Sequence, residues 1–137
     1  MTEKQIPPAA VTFVGPIYHP ATKNLRNLCS QLGGNGTPEL HLFLSSTGGS
    51  LAEGFALYNF LRSLPLELTT HNIGSIESVA NVVFLAADQR CAAPDTHFLL
   101  HGFDWTFSAQ TTLVQRYLIR LNNNYNKYQK SIPNGIK

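Results

Sequence analysis

Leu40-His41-Leu42-Phe43-Leu44-Ser45-Ser46-Thr47-Gly48-Gly49-Ser50 is the stretch whose reading decides the fold. Leu40 to Leu44 reads as a buried strand, the glycine pair as a turn, and Ser50 as the start of a helix. The Ser50 hydroxyl is placed to cap that helix, while Glu53, three residues on, is placed to reach back to the Ser50 amide as a capping box. Phe55, Tyr58 and Leu61, with Leu57 beside them, give the helix an apolar face, and Pro65 lies just beyond its expected end.

Upstream, Ala10 to Val14 is a short β-prone run ended by Gly15-Pro16, and Thr22 to Leu32 has helical spacing through Leu25, Leu28 and Leu32. Gly33-Gly34-Asn35-Gly36 stops that helix. With Leu40 to Leu44 this makes a βαβ unit. Downstream, Leu66 to Ile73 is a third strand, interrupted by polar residues. The nearly continuous apolar run from Ser78 to Ala87 fits strand or helix by periodicity alone. Its length selects a buried helix, bracketed by Asp88-Gln89-Arg90 and Pro94 before a strand from Thr96 to Leu100. Val114, Tyr117, Leu118, Leu121, Tyr125 and Tyr128 then share one face of a long amphipathic helix, over about 108–130, which closes the chain. This alternation predicts an α/β fold, a mainly parallel sheet with flanking helices.

A length of 137 residues suits one domain, here 1–137, able to bury a core without disulfide or metal. The apolar fraction of 43% is ordinary, but the charged fraction of 13% is about half the usual level, so the surface is either rich in neutral polar groups or covered by neighbouring subunits. Net charge is +2, and from Trp105 onward Arg116, Arg120, Lys127, Lys130 and Lys137 meet no acid. These bases are spread along a helical pattern, which fits a solvated face better than a nucleic-acid surface. Cys29 and Cys91 are far apart with no C-x-x-C spacing, which argues against a metal site or redox pair and for a reducing compartment. The N-terminus lacks the apolar core of a signal peptide, and no stretch approaches a membrane span. A cytoplasmic protein without membrane partner, metal or other cofactor is expected.

Three segments carry candidate chemistry, each where a strand ends: Ser46-Thr47-Gly48-Gly49, Gly74-Ser75-Ile76-Glu77-Ser78 and Leu99-Leu100-His101. Active sites of α/β sheets gather at such edges. Ser78, at a strand-to-helix turn, reads as a nucleophile or as a plain N-cap, and the amides of Ser78 and Val79 would be unsatisfied helix-start donors able to bind an oxyanion. Gly48 offers a second such amide, or simply a flexible turn. His101, fixed by the strand before it and followed by Gly102, is the base candidate; His19, His41, His71 and His97 lack that combination.

From about Val11 to Trp105 the chain resembles the proteolytic subunit of the Clp protease and its relatives in the wider crotonase-like fold, built of repeated β-β-α units. Ser45-Ser46-Thr47-Gly48-Gly49-Ser50 is similar to the family's Asn-Ser-Pro-Gly-Gly loop, with asparagine and proline replaced. Gly54 falls at the helix glycine, Gly74 to Ser78 resembles the Gly-x-Ala-x-Ser nucleophile segment, Leu99 to His101 the base segment, and Arg90 and Pro94 are in register. The resemblance implies a serine peptidase with Ser78 as nucleophile, His101 as base and the amides of Gly48 and Val79 as oxyanion donors. It also implies a homo-oligomeric ring, fed with peptide or unfolded protein by an ATP-dependent unfoldase. The closing helix, with its tyrosine-rich face, is then a ring-to-ring contact.

Two positions depart from the family pattern. Glu77 stands before the nucleophile where a small residue is usual, and a carboxylate there would clash with substrate or change the local charge. The third catalytic residue, an aspartate, comes well downstream of the histidine in the family, and the chain is expected to end before it. Beyond His101 the only acid is Asp104, which either orients the imidazole or serves as a surface or cap residue. The alternative to a peptidase is therefore a non-catalytic Clp-like assembly or regulatory subunit. A crotonase-type acyl-CoA enzyme is disfavoured, since that chemistry generally relies on carboxylates.

Overall fold

The computed structural model describes residues 4–100. His101, Asp104 and the expected closing helix lie outside the described residues. Five strands, β1 (Ala9–Val14), β2 (Glu39–Ser46), β3 (Glu67–Glu77), β4 (Gln89–Ala92) and β5 (His97–Leu99), alternate with helices α1 (Ala21–Gly34), α2 (Leu51–Ser63) and α3 (Ala80–Phe84). All the strand pairs are parallel, in the order β1-β2-β3-β4, with β5 also on β3.

The alternation in β2 explains its place. Leu40, Leu42, Leu44 and Ser46 are buried on the face that meets the core, and Glu39, His41, Phe43 and Ser45 are half-buried on the other. Leu40, Leu42 and Leu44 join one buried cluster with Val11 and Phe13 of the neighbouring β1, Leu25, Cys29, Leu57, Leu61 and the buried apolar residues of α3. Burial pushes the Cys29 thiol up to about 11, so it behaves as a small apolar side chain.

α1 and α2 start and stop close to their expected bounds, with different details. Gly33 and Gly34 belong to α1; the left-handed residue that ends the turn is Gly36, with φ +79°. Ser50 caps α2, its Oγ accepting from the Glu53 N–H at 3.2 Å. The return half of the capping box is not formed. The Ser50 N–H donates to the Ile17 carbonyl, and the Glu53 carboxylate instead accepts from Thr22 Oγ1 at 2.6 Å and Arg26 at 3.3 Å, tying α2 to α1. The buried face of α2 is Gly54, Leu57 and Leu61, with Phe55 and Tyr58 only partly covered.

Three expectations change around β3. The strand continues past Ile73 to Glu77, with two more residues than β2 between the pairs Leu44↔Asn72 and Ser46↔Ile76. At that bulge its outer edge passes from β4, paired with Thr69 to Asn72, to β5, paired with Ser75 to Glu77. The helix expected over Ser78 to Ala87 is only α3, with turns on both sides, because the chain returns at once to the sheet: the Asp88 N–H donates to the Leu68 carbonyl at 2.9 Å. From the expected bracket Asp88-Gln89-Arg90 toward Pro94 runs a strand not expected from the sequence, Gln89 to Ala92, whose four residues are all exposed, so no alternation marked it. Among the described residues no helix is long and apolar enough to cross a membrane, and no cluster of His, Cys, Asp and Glu is arranged to hold a metal ion.

Candidate active site

The bulge, the glycine turn and the end of β5 meet at Ser78. This half-buried residue has φ +53°, in the left-handed region, which it shares with Asp95 alone among the described non-glycine residues. Such a conformation costs a side-chain-bearing residue about 1–3 kcal/mol and persists where the surroundings impose it. They impose it here from two sides.

On one side is β5. The Ser78 N–H donates to the Leu99 carbonyl at 3.2 Å, so this amide is not the free helix-start donor that the sequence suggested. Nor is Ser78 a helix cap. The N-cap of α3 is Val79, no side chain caps the helix, and the Ser78 hydroxyl has no hydrogen-bond partner among the described residues. The Val79 N–H likewise has no acceptor among them.

On the other side is the glycine turn. Gly48 has φ +92° and passes so close to Ser78 that a Cβ added to it would stand 2.8 Å from Ser78 Cβ, 2.8 Å from the Glu77 carbonyl oxygen and 3.3 Å from the Val79 nitrogen. The Gly48 backbone is thus packed beside Ser78 and the Val79 nitrogen. The turn is fixed by the chain after β1: the Gly48 carbonyl accepts from Ile17 N–H at 2.8 Å, and Gly49 bridges Ile17. Its amide is engaged, since the Gly48 N–H donates to Ser46 Oγ at 3.1 Å. An oxyanion drawing on that amide has to compete with the Ser46 hydroxyl.

Gly54 completes the packing from α2. A Cβ there would run into Val79 Cγ2 and stand 3.2 Å from Cγ1, so only glycine lets the helix lie directly on the fully buried Val79. Gly74 has a related role in the bulge, where a Cβ would be 2.6 Å from Ser45 Oγ, the acceptor for the Ser75 N–H. Ser45, at the replaced asparagine position, therefore holds the bulge to β2. Glu77 is half-buried and has no ion-pair partner among the described residues.

Sequence reasoning missed Asn81. Its side chain is fully buried, and its Nδ2 donates to the carbonyls of Ser78 and Leu99, both at 3.0 Å. Its Oδ1 is buried with no hydrogen-bond partner among the described residues. The signal in the sequence was a single amide within an otherwise apolar run, Val79 to Phe84.

The family model for Clp protease matches residues 11–132. The chain is similar to ATP-dependent Clp protease proteolytic subunit 2 of Borreliella burgdorferi, with 30% identity over 99 residues, covering 71% of this chain and 48% of that protein. It is also similar to ATP-dependent Clp protease proteolytic subunit 3 of Rhizobium meliloti, at 27% over 120 residues, covering 81% and 62% respectively. The matches therefore span only part of these relatives. A solved ClpP1 mutant from Listeria monocytogenes superposes with a TM-score of 0.67 at 18% identity, over 86% of this chain and 68% of that one, which shows a shared fold.

Proposed function

The chain belongs to the Clp protease family, and from that premise we propose that it is a serine-type peptidase subunit acting through Ser78 and His101. His101 takes the Ser78 proton as the oxygen attacks a peptide carbonyl. The amides of Gly48 and Val79 stabilise the negative charge on the tetrahedral intermediate. His101 returns the proton to the leaving amine, and water releases the acyl-enzyme.

The observation that carries this reading is the hydrogen bond from the Ser78 N–H to the Leu99 carbonyl. It brings the end of β5 onto the nucleophile candidate, and His101 follows two residues later, at most about 7 Å of extended chain away. Asp104 is the residue to test as the group that orients the imidazole. The subunit is proposed to work in the cytoplasm within a homo-oligomeric ring, on peptide or unfolded protein delivered by an ATP-dependent unfoldase.

Hydrolysis of an unstructured fluorogenic peptide by the assembled protein tests the reading. Ser78→Ala and His101→Ala are expected to bring turnover to background, and Asp104→Asn to lower it if that carboxylate sets the tautomer. A second reading, a non-catalytic Clp-like assembly subunit, is favoured by one observation: the Gly48 amide is engaged by Ser46 Oγ. It predicts no hydrolysis by the assembled wild-type protein.

A further inference from the structure

Asn81 is fully buried in α3 and is not among the residues to which the chemistry above assigns a role. Its orientation is fixed by its partners: the neighbouring atoms on the nitrogen side are the carbonyl oxygens of Ser78, Leu99 and, at 3.5 Å, Ile76, so the amide must present its N–H groups there. The two short bonds use both hydrogens. The Leu99 carbonyl thus accepts twice, once from Asn81 Nδ2 and once from the Ser78 N–H, which closes a ring of hydrogen bonds around the left-handed turn. Oδ1 has no hydrogen-bond partner among the described residues, so within them the amide is held through its nitrogen alone. A buried amide bonded to two strand ends, beside a serine in a strained conformation, is the arrangement expected where geometry at a site outweighs local stability.

We propose that Asn81 is a positioning residue: its side chain clamps the Ser78 turn to the last residue of β5, holding the nucleophile in register with the chain that leads to His101. Apolar residues on either side supply the packing that α3 needs, and Asn81 supplies the link between two strand ends that packing alone does not specify. The inference rests on Ser78 and His101 being the reacting pair, but the clamp itself is measurable without turnover.

Asn81→Leu keeps the branched shape of the side chain, at a larger volume, and removes both donors. Asn81→Ala serves the same purpose if the leucine disturbs folding. In the full chain, amide hydrogen exchange at Ser78 is expected to accelerate at least about tenfold in either variant, with amides of Leu42 and Leu44 in β2 unchanged. In parallel, labelling by a fluorophosphonate is expected to lose about tenfold in its limiting rate, with the probe concentration for half-maximal rate unchanged, a split that general loosening would not give. Wild-type exchange protection at Ser78 in a folded variant would overturn the clamp. Accelerated exchange with an unchanged labelling rate would overturn its positioning role. A wild-type protein that exchanges as expected yet takes no label would instead refute the peptidase reading while leaving the clamp standing.

Discussion

Gly48 and Ser78 are in contact through a position that only glycine can fill: a Cβ on Gly48 would stand 2.8 Å from Ser78 Cβ and an equal distance from the Glu77 carbonyl oxygen. Real Cβ atoms do not approach backbone oxygens so closely, and φ +92° is itself unfavourable for a side-chain-bearing residue. Gly48→Ala is therefore expected to destabilise the protein by about 1–3 kcal/mol. It also moves the Gly48 amide, the proposed oxyanion donor, so turnover should fall by about 10²–10³. Denaturant unfolding and peptide hydrolysis on the same preparation check both.

Gly54 makes the same point at a helix surface. Because Val79 fills the place of its missing Cβ, Gly54→Ala forces α2 away from Val79. A loss of about 1–3 kcal/mol is expected from overpacking, measured as a lower urea midpoint with an unchanged slope.

The open face of the sheet carries a histidine pair that makes stability depend on pH. His41 Nδ1 and His71 Nε2 are 2.9 Å apart, His41 Nε2 is 2.9 Å from Glu39 Oε1, and Phe43 stacks on the His71 ring. One of the two rings must accept at the shared bond, so both cannot be protonated there. Burial, and then the charge of His41, hold His71 below its ordinary range. The unfolded chain thus binds more protons than the folded one as pH drops below about 6.5, and stability is lost in that direction. His71→Phe should flatten the stability profile between about pH 5 and 7, as followed by urea unfolding.

Glu53 adds a second loss of stability on acidification, at lower pH. The Thr22 hydroxyl first, then Arg26, favour its charged form and lower its pKa. Its contribution is present above the ordinary glutamate value of about 4.3 and lost as pH falls through the lower folded value. Glu53→Gln should give a shallower loss of stability on acidification below about pH 4.5, in the same assay.

How much of this was legible in the sequence follows from the physics of each element. Leu40 to Leu44 and the helix after Ser50 were plain, because burial on one face imposes a period on the residues that provide it. β4 was not, since its four residues are exposed and show no alternation. The bulge at Ile73 to Ser75 was not, since its cause is a contact between Gly74 and Ser45 from another strand. Ser78 and Gly48 could be paired from the sequence because each ends a strand, and the structure brings them into contact. The engagement of the Gly48 amide by Ser46 and the role of Asn81 needed coordinates, as each depends on hydrogen bonds that no spacing rule encodes.

Whether Ser78 is a nucleophile is read most directly from mass analysis of the assembled protein after treatment with a fluorophosphonate. A single adduct on the peptide containing Ser78, absent from Ser78→Ala and much slower to form in His101→Ala, is the predicted result. An assembled protein that stays unmodified, or an adduct on another residue that persists in Ser78→Ala, would contradict it.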